Sequence, residues 1–150
     1  VLVPSLSLLQ LYSKDAEELL VFTCAAESDG GTLLHQINGP AVGIFQCEPN
    51  THNDLWRNFI IHRNNFVTQL AMNFAIPKIP DASKLVTDLM YATAICRLHY
   101  FRVKEPLPAA DDVDAIWTYY KTYYNTVKGK AQKDKAIKAY NRFTRKELAP

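Results

Sequence analysis

Glu27 is the residue of this sequence best placed for acid–base chemistry. Counting back from it, Ala16, Leu20 and Thr23 recur at the three-and-four spacing of one helix face, with Leu19, Cys24 and Ala26 beside them. Glu27 thus falls on a stripe that faces the core. An ionised carboxylate is costly in such a place unless it is paired, so the position favours the neutral acid and makes the side chain a proton donor. The competing reading is a helix-end glutamate turned sideways into water. A second candidate is the stretch GPAVGIFQCEP, residues 39–49, where Gly39 and Gly43 permit a tight turn or a close approach. Within it Gln46 and Glu48 bring polar groups into an apolar setting, as the wall of a cleft would; an ordinary turn uses the same residues.

These residues need a scaffold, and the pattern predicts a helical one. A helix is expected over 14–28 behind Ser13, stopped by Gly30 and Gly31. The segment around 37–47 suits a turn with a brief extended piece or small β-hairpin. Thr51 and Asp54 form a capping-box pattern ahead of Leu55, Trp56, Phe59 and Ile60, and a further helix is expected over 66–75. Pro77 and Pro80 then break the chain before a long apolar-faced stretch, 82–103, expected as the central buried helix. Another helix is predicted from Asp111 to about 127, with Asp112 and Asp114 at its positive end. The last, over 133–146, should turn Ile137, Tyr140 and Phe143 inward. The expected fold class is mainly α, a single helical domain over 1–150 with one short irregular insert.

Composition sets limits. A chain of 150 residues, 48% hydrophobic and 21% charged, can bury a substantial core. No apolar run approaches the roughly 18–20 residues needed to cross a bilayer, and no basic segment precedes the apolar start, so neither membrane insertion nor a secretory leader is expected. Cys24, Cys47 and Cys96 lack the even count of a disulfide framework, and with His35, His52, His62 and His99 they make no metal-ligand spacing. No metal or cofactor is expected. From Lys121 onward nine Lys and Arg face Asp134 and Glu147, a balance of +7 against −5 for residues 1–120. Such asymmetry suits an anionic polymer, cell-wall material or nucleic acid, or simply a solvated helix face.

The order of Glu27-Ser28, then GIFQ, then EPNT resembles the lytic transglycosylase and goose-type lysozyme family, in its phage-encoded members above all. There Glu-Ser precedes a Gly-Leu-Met-Gln segment and a proline-containing helix start. The resemblance covers residues 27–51 and extends more loosely through YATAICRLHYFR to Tyr124-Asn125 and Tyr140. The family's third motif is Ala-Tyr-Asn followed by Ala-Gly-Pro; this chain departs from it, reading Tyr123-Tyr124-Asn125-Thr126 with Gly129 further on. Neighbours on a helix point about 100° apart, so one of the two tyrosines can face a cleft, and Tyr124, next to Asn125, is the expected one.

The resemblance implies a lysozyme-like α+β fold and cleavage of the MurNAc–GlcNAc β-1,4 bond in peptidoglycan glycan strands, without a cofactor. It implies Glu27 as general acid and base, and Ser28, Phe45, Gln46, Glu48, Tyr124, Asn125 and Tyr140 as substrate-binding residues. Gln46 and Asn125 suit acetamido and hydroxyl groups, and Tyr124 offers a flat face to a sugar and a hydroxyl that could reach Glu27. Ser28 would orient Glu27 or cap the helix end. A transglycosylase uses the sugar's own 6-hydroxyl, whereas a hydrolase uses water and a second acid, for which Glu48, Asp29 and Asp54 are nearest in sequence. Both outcomes remain open. The implied setting is a phage virion or the host envelope and periplasm, with other virion or tail proteins as further partners. The alternatives are a non-catalytic wall-binding virion protein and, behind it, a nucleic-acid binder using Lys128, Lys135, Lys138, Arg142 and Lys146.

Overall fold

The computed structural model describes residues 1–76, 79–126 and 128–144, and among them the architecture is mainly helical. The apolar start forms α1 (Leu2–Leu8), a helix for which the sequence raised no expectation; it buries Leu6 against the later helix that carries Cys96. Next comes α2 (Lys14–Ser28), bounded as expected: the Ser13 hydroxyl accepts from the Ala16 amide at 3.0 Å, and Asp15 and Glu17 sit in the positive first turn. Its end differs in detail. The left-handed residue that closes it is Asp29, one position before the glycines.

Helix α2 is the spine. Ala16, Leu19, Leu20, Phe22, Thr23 and Ala25 are buried on it, and a fully buried Leu or Phe contributes about 1.5–3 kcal/mol. The insert that follows is less regular than a hairpin. It holds two isolated antiparallel bridges, His35 with Val42 and Val42 with Cys47, the latter closed by paired amide bonds of 3.0 Å. Gly43 makes this possible: at φ +78 a Cβ would lie 2.4 Å from the Leu85 carbonyl oxygen, so only glycine lets the loop press that close.

Helix α3 (Pro49–Asn58) begins earlier than expected, with proline in its first turn, where a missing N–H costs nothing. The capping-box expectation fails: Thr51 lies inside the helix, and Asp54 binds Asn58 at 2.7 Å and Arg102 at 2.8 Å. After one 3-10 turn (Ile60–His62) comes α4 (Asn64–Phe74), close to the expected range. The long central helix is broken in two, α5 (Lys84–Thr87) and α6 (Leu89–Phe101). Asp88 causes the break, leaving helical geometry at φ −131 and capping the Tyr91 amide at 2.9 Å. Trp56 donates to the Tyr91 hydroxyl at 2.8 Å, which in turn meets His52 Nε2 at 2.7 Å, so α3 is fixed on α6 through buried polar groups. Burial lowers the His52 pKa, keeping the ring neutral as an acceptor.

Helix α7 (Val113–Tyr120) is shorter than expected and passes into a π-turn (Lys121–Asn125), while Val127 lies outside the described residues. The last helix, α8 (Lys133–Thr144), packs along α2. Tyr140 points inward as expected, but Phe143 is 42% exposed, and Lys146 lies outside the described residues. No helix among the described residues is long and apolar enough to cross a membrane.

Candidate active site

The C-terminal end of α2, the insert with the start of α3, the π-turn and residues 128–131 enclose a cleft of about 560 Å³. Glu27, Gln46, Glu48, Tyr120, Tyr124 and Asn125 all line it. A smaller hollow of about 330 Å³, bordered by Asp29, Lys130 and Lys135, adjoins the cleft and also borders Glu27.

The π-turn is what brings the tyrosines and the asparagine together. In an α-helix residue i+5 lies about 140° round from residue i, whereas the wider i→i+5 turn returns it to the same face. Hence Tyr120, Tyr124 and Asn125 all reach the cleft. Thr126 ends the turn at φ 65, ψ 168, a region glycine favours, and holding a β-branched residue there costs about 1–3 kcal/mol.

Glu27 is half-buried, and one of its two oxygens is occupied. Tyr120 Oη donates to Oε1 at 2.7 Å and Asn125 Nδ2 approaches the same atom at 3.4 Å, while Oε2 has no partner among the described residues. Two donors on Oε1 leave Oε2 as the oxygen that carries the proton of the neutral acid. Burial raises the Glu27 pKa; the bonds from Tyr120 and Asn125 and the charge of Lys121 pull it partly back. Tyr120 keeps its proton, because burial and then the Glu27 charge push its own pKa up.

The other polar groups divide by role. His99, at the cleft base, is pushed down to about 4 by burial and faces the Tyr123 carbonyl at 3.1 Å, so it is a neutral N–H donor. Burial pushes the Cys47 thiol up to about 12 and raises Cys96 well above its usual value, so neither is an activated nucleophile; all three cysteines are free. Among the candidates for a second acid, Asp54 is held below the usual carboxylate range by Arg102, and Asp29 is paired with Arg142. Glu48 shares the cleft with Glu27 and is exposed. Among the described residues no group of three or more His, Cys, Asp or Glu is arranged around a metal position.

The residues singled out in the sequence are thus partly assembled and partly dispersed. Glu27, Gln46, Glu48, Tyr124 and Asn125 share one cleft. Gln46, at φ 46, gives Nε2 to the Leu33 and Gly43 carbonyls at 3.0 and 2.9 Å, which leaves Oε1 for a ligand. Tyr124 does face the cleft, but its hydroxyl donates to the Phe45 carbonyl at 2.8 Å, and the tyrosine that reaches Glu27 is Tyr120.

Three assignments are corrected. Ser28 is fully buried and does not line the cleft; it donates to the Ile44 carbonyl at 2.6 Å and accepts from the Gly31 amide at 2.9 Å, which is the helix-end role expected as the alternative. Phe45 is 2% exposed and contributes its backbone carbonyl, with its ring in the core. Tyr140 is fully buried against Phe22 and donates to Glu18, so it is a core residue away from the cleft. Sequence reasoning missed Tyr120, Lys121 and His99. Tyr120 had a signal: it stands one turn before Tyr124, and a face that shows one shows the other.

No protein-family model matches the chain, and neither a curated protein nor a solved structure matches it.

Proposed function

We propose that this protein cleaves the β-1,4 bond between MurNAc and GlcNAc in peptidoglycan glycan strands, with Glu27 as general acid and then general base. The observation that carries the reading is the half-buried Glu27 in a sugar-sized cleft, with Oε1 held by Tyr120 and Asn125 and Oε2 free to give up a proton. The motif order from Glu27 to Thr51 supports it independently. In the first step the Oε2 proton moves to the glycosidic oxygen as the bond to the anomeric carbon breaks. The resulting carboxylate is stabilised by the two donors on Oε1, and it then takes a proton from the attacking hydroxyl. That hydroxyl is the 6-OH of the same sugar or a water; Glu48, which also lines the cleft, is the carboxylate available to the second route. Gln46 Oε1 and the Asn125 amide suit the acetamido groups. A virion or envelope setting follows from this substrate.

The test is clearance of purified peptidoglycan by the wild type against Glu27→Gln, followed by mass spectrometry of the released ends. Anhydro ends identify the transglycosylase route and reducing ends the hydrolytic one. Equal clearance by Glu27→Gln would overturn the assignment of the acid.

A further inference from the structure

The chemistry above makes no use of Lys121, yet its ammonium is bound to two residues that line the cleft. Nζ donates to Asn125 Oδ1 and to the Gly129 carbonyl, each at 2.7 Å. Gly129 is packed against the same amide: a Cβ there would lie 2.1 Å from Asn125 Oδ1 and 2.3 Å from the Asn125 carbonyl oxygen. The Gly129 amide also closes onto the Thr126 carbonyl at 3.1 Å, so these contacts span the strained residue that ends the π-turn.

We propose that Lys121 is a positioning residue for Glu27, acting through Asn125, whose amide it fixes with Nδ2 toward Glu27 and Oδ1 toward the ammonium. The proposal rests on the glycosidase reading for its purpose, though not for its geometry. A primary amide has nearly the same shape in either orientation, so its neighbours decide which end faces where. With Lys121 in place, a flip would set an NH₂ group against an ammonium and a carbonyl oxygen against a carboxyl group. Without it, Asn125 can turn Oδ1 to Glu27, and the neutral acid would then give its proton to that oxygen in an internal bond. The proton would no longer face the glycosidic oxygen. Lys121 thus helps Tyr120 to keep the proton off Oε1, without touching substrate or Glu27.

The experiment uses the whole chain, with Lys121→Met, Lys121→Arg and, as a charge control on the exposed side of α8, Lys138→Met. Glu27 is titrated directly by carboxyl 13C NMR, with Asn125 followed through its side-chain 15N resonances. The charged and titratable groups that border the same hollows as Glu27 are Asp29, Cys47, Glu48, His99, Tyr120, Tyr124, Lys128, Lys130 and Lys135, and Lys121 acts on it by its charge. In the wild type the Asn125 amide resonances should move with the Glu27 titration. Lys121→Met should shift that titration upward and uncouple the amide, Lys121→Arg should restore most of both, and Lys138→Met should change neither. On peptidoglycan, Lys121→Met should lower kcat about tenfold, the scale on which partners behind a functional group act, with KM little changed. A wild-type amide blind to Glu27, or a titration unmoved in Lys121→Met, overturns the proposal even where the wild type cuts peptidoglycan. A wild type that leaves peptidoglycan intact while the titrations behave as expected overturns the glycosidase reading and upholds the coupling.

Discussion

Helix α2 carries three glutamate–tyrosine pairs, Glu17 with Tyr12, Glu18 with Tyr140 and Glu27 with Tyr120, and in the last two the tyrosines flank the same phenylalanine. Near its start Glu18 accepts from Tyr140 and lies 3.0 Å from Lys14 Nζ. At its end Glu27 accepts from Tyr120 at 2.7 Å. The rings of Tyr140 and Tyr120 lie 5.4 and 5.6 Å from Phe22. The pairs differ in what the nearby lysine does. Lys14 meets the Glu18 carboxylate directly, whereas Lys121 gives its hydrogen bonds to Asn125 and Gly129 and acts on Glu27 only across space. An ion pair would lower a carboxyl pKa; without one, in a half-buried setting, desolvation is the larger effect and the Glu27 pKa is raised. The Glu18 pair holds α8 on α2, and the Glu27 pair is the one that the proposed function uses.

The sharpest way to break that contrast is to neutralise each acid. Glu27→Gln keeps the shape and loses the proton, and general acid catalysis is worth about 10²–10⁴-fold, so peptidoglycan clearance should fall on that scale while circular dichroism stays native. Glu18→Gln should leave activity per folded molecule unchanged. Comparable losses in both variants would show that the two acids serve the same structural end.

Removing the two hydroxyls is the next test. Tyr120→Phe takes away the stronger donor to Glu27, so kcat should drop about tenfold and the alkaline limb of the pH profile should move upward, because the charged form loses stabilisation. Tyr140→Phe should leave kcat unchanged and reduce stability by about 1–3 kcal/mol, the cost of disturbing a buried polar pair, read as a lower midpoint in urea. A pH profile that shifts in Tyr140→Phe, or stays put in Tyr120→Phe, would reverse the assignment of roles.

Neither pair was readable in the sequence as a pair, though one of the acids was, and range explains the difference. The helix from Lys14 to Ser28 was legible because its cap and apolar spacing are local, and so was the placement of Glu27 on its inner face. The break at Asp88 was not, since a capping side chain competes with an unbroken apolar pattern and the pattern alone does not register it. The start of α3 was misplaced because a proline in a first turn was outranked by a capping-box match. In the cleft, Gln46, Glu48, Tyr124 and Asn125 were found by their motifs, whereas Tyr120, one turn before Tyr124, belongs to no motif, and Lys121 is engaged only through its contacts to Asn125 and Gly129. Ser28 and Tyr140 were assigned to substrate because residue type does not reveal burial.

The smallest effect is thermodynamic, and its sign separates the pairs most cleanly. Burial raises the folded-state pKa of Glu27 above the ordinary 4.5, so between those two values the folded protein binds more protons than the unfolded chain. Stability therefore falls as pH rises through that window, and the folded state carries the penalty at every higher pH. Glu27→Gln removes the ionisable group, so it should melt at a higher temperature than wild type near neutral pH, with the gain fading as pH drops below about 4. Glu18→Gln should show the opposite sign near neutral pH, a small loss of about 0–1 kcal/mol, because it gives up an ion pair with an exposed lysine. Thermal melts of the three proteins across this pH range decide the matter. A Glu27→Gln midpoint that lies below wild type near neutral pH would mean that the carboxylate is stabilised in its charged state, which is the condition Glu18 meets and a proton donor must avoid.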